Sequence, residues 1–172
     1  MREKRSGPLT SREITSVASR CAEMKTPFHI LVVDDYARWR NFVSSALMEH
    51  IESCLICEAA DGAEAVQFAA DLRPALITLD IGLPKLNGIE AARQIREKCP
   101  DTKILFVSEN RALDIAEAAF AAGGDGYVVK SDGKAELLKA VDTVRQSRRF
   151  ISRTLAQGQL GAFASRFLNP IG

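Results

Sequence analysis

The sequence predicts an α/β fold, a doubly wound sheet of five parallel strands with helices on both faces. Three observations predict it. Between Phe28 and about Gln146, short apolar runs alternate five times with stretches of helical periodicity. The runs are continuously apolar, as strands covered on both faces are. Acidic residues stand where two of them end: Asp34-Asp35 after Ile30-Leu31-Val32-Val33, and Asp80 after Ala75-Leu76-Ile77-Thr78-Leu79. In an open parallel sheet the carboxyl ends of the strands form the ligand crevice, so the three carboxylates converge there. Like charges packed together repel, and the usual remedy is a divalent cation, which points to Mg²⁺ and phosphoryl chemistry.

The expected strands are 28–33, 54–58, 75–79, 103–107 and 126–129, with helices near 37–49, 62–72, 88–98, 112–122 and 134–147. The second helix opens at Asp61-Gly-Ala-Glu64, an acidic N-cap with a Glu three residues on, as a capping box needs. Asp71-Leu-Arg-Pro74 closes it, because a residue before proline avoids the α region. Gly88 opens the third helix. Gly123-Gly124-Asp125-Gly126 supplies a helix stop and a turn into the last strand. The fifth helix carries Leu137, Leu138, Val141 and Val144 at core spacing.

A chain of 172 residues suits one ordinary domain plus extensions. Its 47% apolar and 26% charged residues are normal for a globular protein. No apolar run approaches the roughly 20 residues of a membrane span, and the N-terminus lacks the apolar core of a secretory signal. A cytoplasmic location with no membrane partner is expected. Cys54 and Cys57 have CxxC spacing but lie in a strand-like run, where positions i and i+3 point to opposite faces. A shared metal is not expected, and the four cysteines read as buried thiols.

The net charge of +1 hides an asymmetry. Residues 1–27 hold six Lys/Arg and three Asp/Glu, residues 28–144 twelve and nineteen, and residues 145–172 five and none. An acidic body with two basic ends is not the composition of a nucleic-acid-binding domain, and the ends read as solvated tails. Within the first, Thr10-Ser-Arg-Glu13 opens a short amphipathic helix with Ile14, Val17, Ala18 and Cys21 on one face. Met24 offers a second translational start, so residues 1–23 are expected to be dispensable. In the last, Leu160, Phe163, Ala164 and Phe167 form an apolar stripe that must cover the domain's own surface or a partner.

Taken together, Val33-Asp34-Asp35, Leu79-Asp80-Ile-Gly-Leu-Pro84 with Gly88, Val107-Ser108 and Tyr127-Val-Val-Lys130 resemble the receiver domain of bacterial two-component response regulators. Alone, Ser108 would be a turn serine, Tyr127 a strand aromatic and Lys130 a solvated lysine; only their joint order, each at a strand end, carries the resemblance. Lys130-Ser-Asp-Gly133 and Gly124-Asp-Gly-Tyr127 further resemble receivers that precede a LuxR-type helix-turn-helix domain. The resemblance implies a flavodoxin-like sheet of order 2-1-3-4-5. It also divides the chain into an N-terminal extension (1–27), a receiver (28–148) and a basic, apolar tail (149–172).

The resemblance further implies roles. Asp80 is the phosphoacceptor, a carboxylate nucleophile that becomes an acyl phosphate. Asp35, Asp80 and the backbone carbonyl of Gly82 are the protein part of a Mg²⁺ site, with Asp34 nearby through water. Lys130 pairs with phosphoryl oxygen, and Ser108 donates a hydrogen bond to the same group. Ser108 and Tyr127 form the switch: the serine is drawn toward the phosphoryl group and the aromatic rotates into the space. The fourth helix, fifth strand and fifth helix present the altered surface, and phosphorylation biases two pre-existing states. The phosphodonor is a sensor histidine kinase or phosphotransfer protein, and the chain is a phosphoacceptor rather than an enzyme.

Four positions depart from the common pattern. Ser131 replaces the usual proline, which puts the customary cis peptide in doubt. Gly82 and Asn110 occupy positions that tune dephosphorylation, and Glu109 stands where small residues are common. An aspartyl-phosphate hydrolase would need a second carboxylate two residues after the nucleophile, where this chain has Gly82. A degenerate receiver used as a scaffold disagrees with the intact Asp34, Asp35, Asp80, Ser108 and Lys130 set. Residues after 148 are too few for a four-helix DNA-binding module, so no direct DNA binding is expected. The leading expectation is a receiver acting on a downstream protein or a second copy of itself. The alternative is the receiver portion of a DNA-binding transcription regulator whose output domain is absent from this chain.

Overall fold

The computed structural model describes residues 27–155. Over these residues β1 (Phe28–Val33), β2 (Cys54–Ala59), β3 (Leu76–Leu79), β4 (Lys103–Ser108) and β5 (Gly126–Val129) alternate with α1 (Ala37–His50), α2 (Gly62–Leu72), α3 (Gly88–Lys98), α4 (Leu113–Ala121) and α5 (Gly133–Arg145). All strand pairs are parallel. The sheet is flavodoxin-like, but it has six strands, in the order β2-β1-β3-β4-β5-β6. The added strand β6 (Phe150–Ile151) lies along β5, where five strands were expected. Two residues carry no periodic signal, so this strand was not legible in advance.

The sheet separates two apolar layers. One holds Ala65, Val66 and Ala69 of α2, Ala91, Ala92 and Ile95 of α3, and Ala116, Ala119 and Phe120 of α4. The other holds Val43 and Leu47 of α1 and Leu137, Val141 and Val144 of α5. Residues of β1 divide between them by alternation: Leu31 and Val33 face the first layer, Ile30 and Val32 the second.

The predicted cap and stop of α2 and the glycine stop after α4 hold. Asp61 accepts the Glu64 N–H at 2.9 Å, and the Glu64 carboxylate accepts the Ala60 N–H at 2.8 Å. The second bond reaches one residue before the cap, a variant of the capping box. Arg73, before Pro74, closes α2 in the left-handed region at φ 44°. Gly123, at φ 99°, ends α4 in a conformation that side chains resist. Helix α5 stops earlier than expected, at Arg145, because its last turn tightens onto Ser147 at φ 58°.

The cysteines need correction. Among the described cysteines only Cys99 is buried, while Cys54 is half-buried and Cys57 exposed. Their strand β2 is the edge of the sheet, so one of its faces stays open to water. Cys21, the helix from Thr10 and the stripe Leu160–Phe167 lie outside the described residues. Among the described residues no peptide bond is cis, that after Lys130 included, and no helix is long and apolar enough to cross a membrane.

Candidate functional site

Strand register brings the site together. Val33 pairs with Ala59 on one side and Leu79 on the other, so Asp34 and Asp80 leave neighbouring strands at the same level. The Asp80 N–H donates to the Val33 carbonyl at 3.0 Å and fixes that level. Ser108 pairs with Val129, which places Lys130 one residue beyond it at the same end of the sheet. Asp34, Asp35, Asp80, Ser108 and Lys130 thus gather at one end of adjacent strands.

The carboxylates converge closely. Asp34, Asp35 and Asp80 each offer an oxygen, and these atoms lie within 4.8 Å of one another. Asp34 is 1% exposed and Asp80 7%, while Asp35 is open to water. Lys130 Nζ stands 2.5 Å from Asp34 Oδ2 and 3.5 Å from Asp80 Oδ1. Burial pushes the Asp80 carboxyl above the ordinary aspartate value; Lys130 works against that rise and Asp34 adds to it. An all-oxygen donor set of this spacing, carrying more negative than positive charge, suits a hard divalent cation such as Mg²⁺. Gly82 lies beside it, since a Cβ there would fall 3.5 Å from Asp80 Oδ2.

The loop after Asp80 is tightly held. At Gly88 a Cβ would sit 1.9 Å from the Asp80 carbonyl oxygen, so only glycine lets α3 begin against the back of the acceptor. The Gly88 N–H donates to the Ile81 carbonyl at 2.9 Å and closes the turn. In front, Asp80, Ile81, Gly82, Ser108, Glu109 and Asn110 line a cleft of about 390 Å³, with Glu109 exposed at its lip.

Ser108 and Tyr127 are both buried. Ser108 Oγ accepts the Asn110 N–H at 3.2 Å, and Tyr127 Oη donates to the Asn110 carbonyl at 3.0 Å. Tyr127 is 0% exposed, so its ring is turned into the fold. Burial raises its hydroxyl pKa, the Ser108 hydroxyl opposes that, and the Asp80 charge adds a smaller rise.

Four neighbours escaped the sequence reading. Lys130 Nζ lies 5.4 Å from the centre of the Trp39 ring, a cation–π distance. Arg40 donates to the Asp34 carbonyl at 2.7 Å and to Glu58 Oε2 at 3.2 Å, while Ser44 donates to Glu58 Oε1 at 2.7 Å. The i, i+4 spacing of Arg40 and Ser44 on α1 was a legible sign of one polar face. Nothing in the sequence joined that face to Glu58.

The family model described as the response regulator receiver domain matches residues 30–142. The chain is 33% identical over 127 residues to the transcriptional activator protein ExaE of Pseudomonas putida, a match spanning 74% of this chain and 59% of ExaE. It is 30% identical over 129 residues to the nitrate/nitrite response regulator protein NarL of Escherichia coli K12, spanning 75% of this chain and 60% of NarL. Among solved structures, a LuxR-family two-component response regulator from Aurantimonas sp. SI85-9A1 superimposes with a TM-score of 0.72 at 32% identity, over 77% of this chain and 94% of that one. The isolated REC domain of RcsB from Salmonella enterica serovar Typhimurium superimposes at 0.70 over 77% and 98%; at 18% identity it speaks to the fold alone.

Proposed function

The chain belongs to the response regulator receiver domain family, and from that premise we propose that it is a signalling phosphoacceptor in which Asp80 takes a phosphoryl group from a sensor histidine kinase or phosphotransfer protein. One observation carries this reading: a buried carboxylate, Asp80, faces an open cleft while Lys130 stands 3.5 Å away and two further carboxylates complete an oxygen cluster. A structural salt bridge would need neither the cleft nor the exposed Asp35.

In the transfer, an Asp80 carboxylate oxygen attacks phosphorus and forms an acyl phosphate. The phosphorus–nitrogen bond of the donor breaks, and its electron pair stays with the leaving imidazole. Lys130 moves its charge from Asp34 toward the arriving oxygens, and Ser108 donates to them. Asp35, Asp80 and the Gly82 carbonyl would hold Mg²⁺ directly and Asp34 through water, and the ion would offset the charge that three carboxylates and a phosphoryl group bring together. Ser108 and Tyr127 then bias the surface of α4, β5 and α5.

Trp39 is the only tryptophan in the chain and sits 5.4 Å from Lys130 Nζ, so its fluorescence reads this movement. Titrating beryllofluoride, a phosphoryl mimic, in Mg²⁺ should give a saturable change in Trp39 emission. Chelating the metal or Asp80→Asn should abolish it; an unchanged titration in Asp80→Asn would refute the role of Asp80.

A second reading concerns the whole protein. The chain spans 59% of ExaE and 60% of NarL, and ExaE is named a transcriptional activator. The same receiver would then be the regulatory part of a DNA-binding transcription regulator. Sequencing the encoding frame beyond Gly172 separates this from a receiver that acts through protein contacts in the cytoplasm.

A further inference from the structure

Strand β5 carries two of the proposed functional groups, Tyr127 within it and Lys130 just after it, and its outer edge is occupied. Gly126 pairs with Phe150 and Tyr127 with Ile151. Beyond the pairing, one residue completes the ladder twice. The Ser152 N–H donates to the Tyr127 carbonyl at 2.9 Å, and Ser152 Oγ accepts the Val129 N–H at 2.9 Å. Ser152 is 0% exposed. The segment also straddles the sheet: Phe150 joins the apolar layer of α1 and α5, while Ile151 and Leu155 join that of α4. At its far end Thr154 Oγ1 donates to Asp132 Oδ2 at 2.7 Å, and the Arg153 N–H donates to Glu136 Oε1 at 3.1 Å.

We propose that residues 150–155 form a latch on β5, through which phosphorylation of Asp80 controls how firmly the C-terminal segment is held against the α4–β5–α5 face. The proposal rests on the phosphoacceptor reading of Asp80. Its physical basis is that Ser152 bonds the backbone on both sides of Val128, in the short stretch between the switch aromatic and the phosphate-pairing lysine. A shift of β5 therefore cannot occur without lengthening these bonds or carrying the latch along. The sign follows from the coexistence of the docked latch with an inward Tyr127. Under the proposed switch a phosphoryl group on Asp80 draws Ser108 toward itself and favours that inward rotamer, so the proposal has phosphorylation tighten the latch. Coupling is reciprocal: a docked latch must strengthen binding at the phosphoryl site by the same factor. The sequence after the latch carries one charged residue, Arg166, and the apolar residues Leu160, Phe163, Ala164 and Phe167.

The test is hydrogen–deuterium exchange on the full chain in Mg²⁺, with and without beryllofluoride, read at the amides of Phe150 to Leu155. These amides should exchange several-fold more slowly with the mimic bound. Two variants probe the reverse direction at residues outside the carboxylate cluster: Thr154→Val alone, which leaves the apolar layer intact, and Thr154→Val with Leu155→Ala. The apparent affinity for beryllofluoride, read from Trp39 emission, should fall in both, by about threefold or more in the double variant. If beryllofluoride binds while exchange at 150–155 is unchanged or faster, or if both variants bind it as the parent does, the latch is refuted and the phosphoacceptor stands. If beryllofluoride does not bind at all, the reading of Asp80 falls and the latch falls with it.

Discussion

Asp80 combines two demands that oppose each other: a nucleophilic carboxylate must be charged, and a buried one resists charge. Lys130 resolves part of the conflict, standing 2.5 Å from Asp34 and 3.5 Å from Asp80. Glu109 works the other way, adding a carboxylate at the lip of the same cleft. Small phosphodonors such as acetyl phosphate are anionic, so Glu109→Ala should accelerate phosphorylation by acetyl phosphate about two- to fivefold at low ionic strength. The gain should shrink as salt screens the exposed charge; equal rates in parent and variant would refute it. The residues whose chemistry is tied to a strand end, Asp34, Asp35, Asp80, Ser108 and Lys130, were legible from sequence, because an apolar run followed by a polar group already fixes position. Trp39, Arg40 and Ser152 were not. Trp39 and Ser152 reach Lys130 and Val129, partners distant in sequence, and Arg40 reaches a backbone carbonyl, that of Asp34, which no side-chain pattern marks.

The elements were legible to within a residue or two because buried parallel strands and amphipathic helices leave strong periodic signals. What failed did so for want of length or of context. Strand β6 has two residues, and the exposure of Cys57 depends on β2 being an edge, which is a property of topology. Connections opposite the site also hide their fastening. Arg96, near the end of α3, donates to the Thr102 carbonyl at 2.8 Å, the Gly123 carbonyl at 2.6 Å and Asp125 Oδ2 at 2.9 Å. Asp125 in turn accepts the Ile104 N–H at 3.0 Å. One guanidinium thus ties α3, the start of β4 and the turn into β5. Arg96→Met keeps the aliphatic stem and removes the donors, leaving the half-buried Asp125 carboxylate with Lys103 at 3.5 Å and the Ile104 N–H, and the Thr102 and Gly123 carbonyls without their guanidinium donor. It should lower stability by about 2 kcal/mol in urea denaturation; a loss under about 0.5 kcal/mol would show the network to be ornamental.

At the scale of the whole molecule, the fold concentrates like charge at one end of a sheet and is less stable for it. Because burial holds the folded-state pKa of Asp80 above its ordinary value, the charged carboxylate opposes folding at neutral pH. As pH falls through that raised pKa, the folded chain takes up a proton before the unfolded one and the penalty disappears. In EDTA at pH 7, Asp80→Asn should therefore stabilise the protein by about 1 kcal/mol. Acidification should shrink the difference, and Mg²⁺, which binds the folded parent, should reduce or reverse it. Thermal melts of parent and variant across pH, with and without Mg²⁺, check both signs; a less stable variant in EDTA would show Asp80 to be structural. The central claim, that Asp80 accepts phosphate, is tested most directly by native mass spectrometry in Mg²⁺, with and without acetyl phosphate, on the parent and Asp80→Asn. The account predicts a single phosphoryl adduct on the parent and none on the variant, with the oligomer ratio in the same spectra showing whether the switch drives self-association. An adduct of equal yield on Asp80→Asn, or none on a parent that also fails to bind beryllofluoride, would contradict it.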